Sequence, residues 1–523
     1  MKPKIKWPEP DTERIIILAI TLLVQLIVAF VLWTNLVKFS ALFEVIGVIF
    51  SLAMVLYLIM KDLNPAYRQS WIILIMIFPL FGGVLYYLIG NKRPIKHMRE
   101  NLEEQEQLHS HEVDLVPDIN YLLEEKNEGL AGISKYLRDY ANAPLYMDDP
   151  VRYYPSGESM MDDLVNDLKK AKKTIFVEFF IVEYGVMFDQ IFDVLIEKAN
   201  EGVDVRFIYD GFGTLTRLPE DFEEYCKELG IKAMNFNPVK PIISMVYNTR
   251  DHRKFIIIDN EVAYTGGLNI ADEYINEIER FGYWKDNMIR VEGPAVWNYT
   301  LMFLNMWNAF NEPDTSYELF RPDSLLELNE KSSYDLREIC GHSGFVQPFG
   351  DTPIDEEPIG ENVYQSILHQ AKDYVYIYTP YLVISHEMQV ALQMAAKRGV
   401  TVRLMTPGIP DKKLVYRMTR SFYRPLINAG VEIYEYTPGF LHAKTFVSDD
   451  KIATVGTSNL DYRSLYLHFE TNTVLYYHPV IQDIKDDMES SLEVSKRISV
   501  KDTSQSLFAH IWDALLRLLA PFV

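Results

Sequence analysis

One signature occurs twice in this chain with the same internal spacing. The first copy is His252-Arg253-Lys254, four residues to Asp259, then six more to Gly266-Gly267-Leu268-Asn269. The second is His442-Ala443-Lys444, four residues to Asp449, then six more to Gly456-Thr457-Ser458-Asn459. A lone His-x-Lys ordinarily marks a strand with two polar side chains on one face. Two complete copies at equivalent places of a repeated unit read as chemistry instead, and they make the fold a duplicated one.

The surrounding elements repeat as well. TIFVEFFIV, VRFIYD, KFIIID and VAYTGG are short, β-branched or aromatic runs. Between them, FDQIFDVLIEKANEG and EDFEEYCKELG carry helical periodicity and end in glycine. YVYIYTPYLV, MQVALQMAAKRG, VRLMTP, YRPLINAG, EIYEYT, KTFVSD and IATVGT retrace that order, with Gly202-Val203-Asp204-Val205-Arg206 matched by Gly399-Val400-Thr401-Val402-Arg403. Alternation of this kind predicts two α/β units, each a parallel or mixed sheet covered by helices. We place the first at 143–335 and the second at 336–500, with the boundary between Asp323 and Gly350.

The N-terminal ninety residues differ. Ile15 to Trp33, Ala41 to Met60 and Trp71 to Gly90 are apolar runs that approach bilayer-crossing length. Residues 1–95 are therefore expected to form a membrane anchor of two to three transmembrane or re-entrant helices. Basic residues flank both ends: Lys2, Lys4, Lys6 and Arg14 before, Lys92, Arg93, Lys96 and Arg99 after. The positive-inside rule would put both flanks in the cytoplasm, which three full spans forbid. The third run, interrupted by Pro79, Gly82 and Gly83, is the re-entrant candidate. Glu44 lies within the second run, either as a functional intramembrane carboxylate or as a group reaching the headgroups. Residues 96–142 read as a charged linker or solvated helix. Residues 501–523 read as a C-terminal amphipathic helix, on the membrane interface or against the core.

In a strand, residues i and i+2 share a face, so His252 emerges with Lys254 and His442 with Lys444. The glycine-rich stretch after the next strand brings backbone N–H groups and the amides of Asn269 and Asn459 toward an anion. Packed face to face, the halves would converge two imidazoles, two ammonium groups and two amides on one phosphate, with no metal or cofactor required. A formal net charge of −22 argues against a nucleic-acid partner. Cys226 and Cys340 are too few for a thiolate metal site or a disulfide framework.

The duplicated signature resembles that of the phospholipase D superfamily over about residues 145 to 490. The stretch Asn64 to Gly90, YWKDN at Tyr283 to Asn287 and SNLDYRSLYLHFETN at Ser458 to Asn472 resemble the bacterial cardiolipin synthases within it. The resemblance implies two pseudo-symmetric phospholipase D-type units packed face to face behind transmembrane helices at the cell membrane, with the catalytic part on the cytoplasmic face. It implies transfer of a phosphatidyl group between two phosphatidylglycerol molecules through a phosphatidyl-histidine, giving cardiolipin and glycerol. His252, Lys254, Asp259, His442, Lys444 and Asp449 are then the candidate catalytic set, with His252 as nucleophile and His442 as acid and base. Lys254, Lys444, Asn269 and Asn459 would hold the phosphate, and Asp286 and Glu470 would orient the histidines. Within that set the two signature aspartates read as structural, binding nearby backbone or side chains, and Glu178 and Thr379-Pro380-Tyr381 read as cleft lining or packing. A hydrolase releasing phosphatidic acid is the alternative, with an inert membrane scaffold behind it; whether the chain forms a homo-oligomer is open.

Overall fold

The computed structural model describes residues 40–523, except 62, 91–95, 148, 240–248, 312–316, 332–335, 339–343, 356, 505 and 523, and also residues 27 and 30. The first apolar run is outside the described residues but for Ile27 and Phe30. Lys2, Lys4, Lys6, Arg14, Lys92, Arg93, Cys340 and the side chains of Glu44 and Lys96 also lie outside them.

The two repeated units are two sheets. The first runs Val151–Tyr154, Met288–Glu292, Val262–Gly266, Lys254–Ile258, Thr174–Phe179, Asp204–Asp210, Lys232–Phe236. Its last three strands are parallel, joined through the helices Val186–Asn200 and Phe222–Glu228, and the others are antiparallel. The second repeats this order with Phe345–Asp351, His468–Tyr476, Ile452–Gly456, Thr445–Ser448, Tyr374–Tyr378, Thr401–Pro407 and Glu432–Tyr436. Thr174–Phe179 and Tyr374–Tyr378 are buried along their whole length, as strands covered on both faces must be. Strand pairing crosses the expected boundary: Tyr146–Met147, assigned to the first unit, pairs with Phe345–Asp351 of the second sheet, and two short parallel ladders at the site also join the units.

The segment 96–142 is not a linker. Lys96–Asp114 is a helix lying on Val296–Phe310, and Met98, Leu102, Gln105, His109 and Val113 are buried at three- and four-residue spacing. The charges occupy the other face, so the average composition conceals an amphipathic stripe. Asn120–Lys126 and Glu128–Ala141 follow, with Leu122, Leu123, Leu130, Ile133 and Leu137 in the main core.

The third apolar run is a helical hairpin, Pro65–Ile77 and Pro79–Ile89. Asn64 caps the first helix by accepting from the N–H groups of Ala66 and Tyr67. The chain reverses at Phe78, and a Cβ on Gly82 would stand 2.8 Å from the Ile75 Cα, so only glycine permits the approach. The open ends meet where the Tyr67 hydroxyl donates to the Gly90 carbonyl at 2.9 Å. Ser40–Met60 packs beside this hairpin. Among the described residues no helix is long and apolar enough to cross a membrane; the side chains of Ser40–Met60 are described only from Val45 onward. Val48, Ile49, Leu52, Leu56, Ile77, Phe81 and Val84 are exposed.

Asp259 and Asp449 do not belong to the reacting group. Each sits in a turn at positive φ, 52° and 55°, a conformation aspartate tolerates. Asp259 accepts the backbone N–H groups of Lys172, Lys173 and Thr174 at 2.6 to 3.0 Å, and Asp449 those of Lys372, Asp373 and Tyr374 at 2.8 to 3.0 Å. Each carboxylate thus ties the signature hairpin to the first residues of the neighbouring central strand. Asp449→Ala is expected to lower stability by roughly 1–3 kcal/mol in thermal unfolding, leaving three N–H groups without their acceptor. The pH profile of its remaining activity should match that of the unsubstituted protein.

Candidate active site

The signature histidines stand just beyond short strands that belong to neither large sheet's central path. Arg250–Asp251 runs parallel to the start of His468–Tyr476, pairing Arg250 with His468 and Asp251 with Phe469. Gly439–Leu441 runs parallel to Tyr283–Lys285, pairing Leu441 with Lys285. The next N–H along each ladder, from His252 and His442, donates to the carbonyls of Phe469 (2.9 Å) and Lys285 (2.7 Å). Register then dictates the neighbours: His252 falls beside Glu470, and His442 beside Asp286.

The side chains complete these pairs. His252 Nδ1 lies 2.9 Å from both Glu470 oxygens, and His442 Nδ1 lies 2.6 Å from Asp286 Oδ2. Each imidazole is therefore held by a carboxylate of the opposite half. A hydrogen bond at Nδ1 leaves Nε2 to present to a substrate. Glu470 has a second anchor, the Thr457 hydroxyl. At the equivalent position in the first half stands Gly267, where a Cβ would come within 2.0 Å of Asp286 Oδ1. One half thus uses a longer acid steadied by threonine, the other a shorter acid admitted by glycine. This is the physical content of Gly-Gly against Gly-Thr.

Lys254 Nζ donates to the His252 carbonyl at 2.6 Å, and Lys444 Nζ lies 2.9 Å from His442 Nδ1. Asn269 bridges the Ile181 N–H (2.9 Å) and the Tyr274 hydroxyl (2.7 Å), which leaves its amide one further N–H. Asn459 has a buried Oδ1 with no hydrogen-bond partner, and its side chain bonds to Asp461. Glu178 is spent on Arg253 at 2.6 Å, Thr379 on the Leu460 N–H and the Tyr381 carbonyl, and Tyr381 on Asp411. These three brace the strand ends.

Several neighbours escaped the sequence reading. Tyr274 and Trp284 have ring centres 5.5 Å from that of His442, with Phe440 at 5.7 Å, while Phe180 stands 5.0 Å from His252. His468 lies 5.5 Å from His252, ring to ring, and its Nδ1 is 3.7 Å from Glu470 Oε1. Only its place in YLHFETN, two residues before Glu470 on one strand face, could have singled it out. His252, His468 and Glu470 bring ligand atoms within 4.8 Å of one another. A cation on His252 Nδ1 would displace the bond to Glu470 that orients this ring, so such a metal would oppose the geometry.

Both signature histidines are 7% exposed. Burial, reinforced by the neighbouring cations, lowers His252 well below its ordinary range and His442 to about 4. Burial likewise lowers Lys254 to about 7 and Lys444 to about 8. Glu470 is pushed well above the usual carboxylate range by burial, with Lys254 opposing. At Asp286 burial acts in the same sense, but His442 and Lys444 overcome it and hold the group below its ordinary value. His252 responds to both Lys444 and His442, so the two signatures share one electrostatic cleft.

Gly267→Ala should displace Asp286 and lower kcat by about 100-fold, the usual consequence of moving a catalytic group by about 1 Å. Thr457→Ala removes, without a clash, the hydroxyl that donates to Glu470 and accepts the Thr471 N–H, and should cost about tenfold. Steady-state kinetics on vesicles distinguishes the two.

The sequence matches the family model described as "Cardiolipin synthase, PLD-like domain" over residues 164–307 and 364–492. Residues 45–91 match the one described as "Phospholipase_D-nuclease N-terminal". A Streptococcus mutans protein of uncharacterized activity is 41% identical over 90% of this chain and 99% of its own length. Cardiolipin synthase 2 of Bacillus cereus is 32% identical over 89% of this chain and 88% of its own. In fold, phosphatidylserine synthase of Haemophilus influenzae superposes with a TM-score of 0.54 at 14% identity, covering 75% of this chain and 97% of that one. With two signature-bearing sheets meeting at one cleft, the chain belongs to the phospholipase D superfamily, in the family of the cardiolipin synthases.

Proposed function

We propose that the protein is a membrane phosphatidyltransferase that joins two phosphatidylglycerol molecules into cardiolipin and releases glycerol. The observation that carries the phosphoryl-transfer chemistry is the crossed pairing of His252 with Glu470 and His442 with Asp286. The lipid substrate rests on kinship with the cardiolipin synthases and on the apolar N-terminal helices.

In the first half-reaction His252 Nε2 attacks the phosphorus of one phosphatidylglycerol. A P–N bond forms, the P–O bond to the glycerol headgroup breaks, and His442 gives its proton to the departing alkoxide. In the second, a headgroup hydroxyl of another phosphatidylglycerol passes its proton to His442 and attacks the same phosphorus, and the P–N bond breaks. The electrostatics support this division of labour. Burial disfavours the proton on both imidazoles, and at His442 the ionised Asp286 opposes that burial, so the proton an acid must carry is better supported at His442 than at His252. Lys254, Lys444 and the second N–H of Asn269 supply charge and donors to the non-bridging oxygens. The aromatic walls around His442 restrict water, favouring an alcohol acceptor over hydrolysis.

The anchor reading is the membrane half of the proposal. A hairpin whose two ends meet at Tyr67 and Gly90 returns the chain to the side it entered from. Counted as re-entrant, it leaves two spanning segments and puts the N terminus and catalytic units on one face, where both basic flanks satisfy the positive-inside rule.

Purified protein in vesicles of phosphatidylglycerol alone should yield cardiolipin and glycerol in equal amounts, with activity surviving a chelator. Phosphatidic acid as the main product would make it a hydrolase. His252→Ala and His442→Ala should each lower turnover by at least about 1,000-fold. A quenched reaction should carry the phosphatidyl adduct on His252; finding it on His442 would reverse the roles.

The two lysines set a pH dependence. Below their values of about 7 and 8 both ammonium groups are charged and hold the phosphate; above them that charge is lost. kcat/KM should therefore fall as pH rises through 7 to 8. A bound phosphodiester favours the protonated lysines, so the fall in kcat should come at higher pH than the fall in kcat/KM.

A further inference from the structure

The C-terminal helix Leu507–Leu519 has two faces that ask for different surroundings. Leu507, Phe508, Ile511, Trp512 and Leu515 are exposed along one side. The other side lies on the helix Lys413–Asn428, where Arg417 donates to Asp513 at 2.8 Å and Arg517 to the Ser421 hydroxyl at 2.9 Å. Its end reaches the membrane hairpin: the Ser70 hydroxyl donates to the Leu518 carbonyl at 2.7 Å, and the Phe522 ring lies 5.3 Å from that of Tyr67 and 5.5 Å from that of Trp71. The exposed apolar side is thus continuous with the anchor and belongs at the bilayer surface.

The supporting helix KLVYRMTRSFYRPLIN has no acidic residue, in a protein of net charge −22. Between the two helices is a cavity of about 230 Å³ lined by Arg420, Arg424, His510, Asp513 and Arg517 among others. Arg417 pairs with Asp513 and Arg420 with Glu435. Arg424 and Arg517 have no carboxylate within ion-pair distance among the described residues, and Arg424 lies 3.5 Å from His510 Nε2. The cavity is distinct from the reacting cleft. Lys412, next to the helix's first residue, is felt by the active-site His468, and Arg424 stands about 18 Å further along at the helical rise.

We propose that this cavity binds the phosphodiester of an anionic phospholipid, whose acyl chains lie along the exposed face of the C-terminal helix. The volume admits a phosphate headgroup and no acyl chains. The Arg424 guanidinium, with no carboxylate in ion-pair distance, and Arg517, which shares Asp513 with Arg417, offer positive charge to an anionic surface that would otherwise repel so acidic a protein. The lipid pins the C-terminal helix to the catalytic unit and fixes that unit's height above the bilayer. The inference rests on the membrane reading of the anchor and not on the catalytic one.

Hydrogen–deuterium exchange of the full chain in nanodiscs tests it. Using the His252→Ala background prevents lipid turnover, so failure here is separable from failure of the proposed reaction. Peptides covering 414–428 and 507–519 should exchange about fivefold more slowly in phosphatidylcholine–phosphatidylglycerol discs than in phosphatidylcholine alone. Inorganic phosphate added to phosphatidylcholine discs should have no effect. Arg424→Gln with His510→Gln should abolish the difference while exchanging as the parent does in phosphatidylcholine; Arg424→Lys should keep most of it. Equal protection in both lipids, protection by inorganic phosphate, or an undiminished effect in the glutamine variant would overturn the proposal.

Discussion

Each reactive imidazole is oriented by a carboxylate from the other half of the molecule, and a parallel ladder of two or three residues sets that pairing. Arg250–Asp251 against His468–Phe469 and Gly439–Leu441 against Tyr283–Lys285 are short strands with little stability of their own. They persist because the large sheets on either side hold them in register. A slip of one residue would turn the histidine or its acid to the opposite face. The site therefore exists only as a property of the docked pair of halves, and neither sheet alone supplies an oriented imidazole.

That dependence explains how the cleft tolerates its charges. Two lysines, two histidines and two acids are buried together, and burying separated charges is costly unless they are paired and hydrogen-bonded. Opposite signs alternate across the cleft: Lys444 near Asp286, Lys254 near Glu470. The lowered lysines and histidines mark a centre that still favours one more negative group. A phosphodiester is such a group, and it arrives with non-bridging oxygens for the donors to meet. The same low dielectric that makes this burial costly strengthens the cleft's electrostatic hold on a bound anion.

Much of this was legible in the sequence because the duplication is local. The shared spacing of the two signatures, the apolar strands and the i, i+2 placement of histidine and lysine each need only a short stretch of chain. Asp286 and Glu470 could be picked as acids at comparable places after each signature. Their exchange between halves could not, because pairing across a pseudo-twofold is a long-range fact. The charged segment before the first sheet misled for another reason. Its buried stripe of Met98, Leu102, Gln105, His109 and Val113 includes two polar residues, which weakens the periodic signal. Asp259 and Asp449 travel with the signature as anchors of a turn, and their fixed spacing records folding, not chemistry.

The N-terminal hairpin and the second sheet are linked by more than chain continuity. A cavity of about 810 Å³ separates the open end of the anchor hairpin, at Lys61, Asn64, Tyr67 and Gly90, from Asp355, Glu361 and Tyr466 of the second half. Tyr466 ends the short helix Tyr462–Tyr466, and the same chain segment continues through His468 to Glu470. The wall of the cavity and the acid that orients His252 are thus four residues apart. The C-terminal turn Ala520–Phe522 touches both the hairpin helix Pro65–Ile77 and the helix Tyr462–Tyr466, and so bridges the two. The hairpin and the strand that sets Glu470 are then joined through one short turn, and the acid beside His252 stands four residues from that junction.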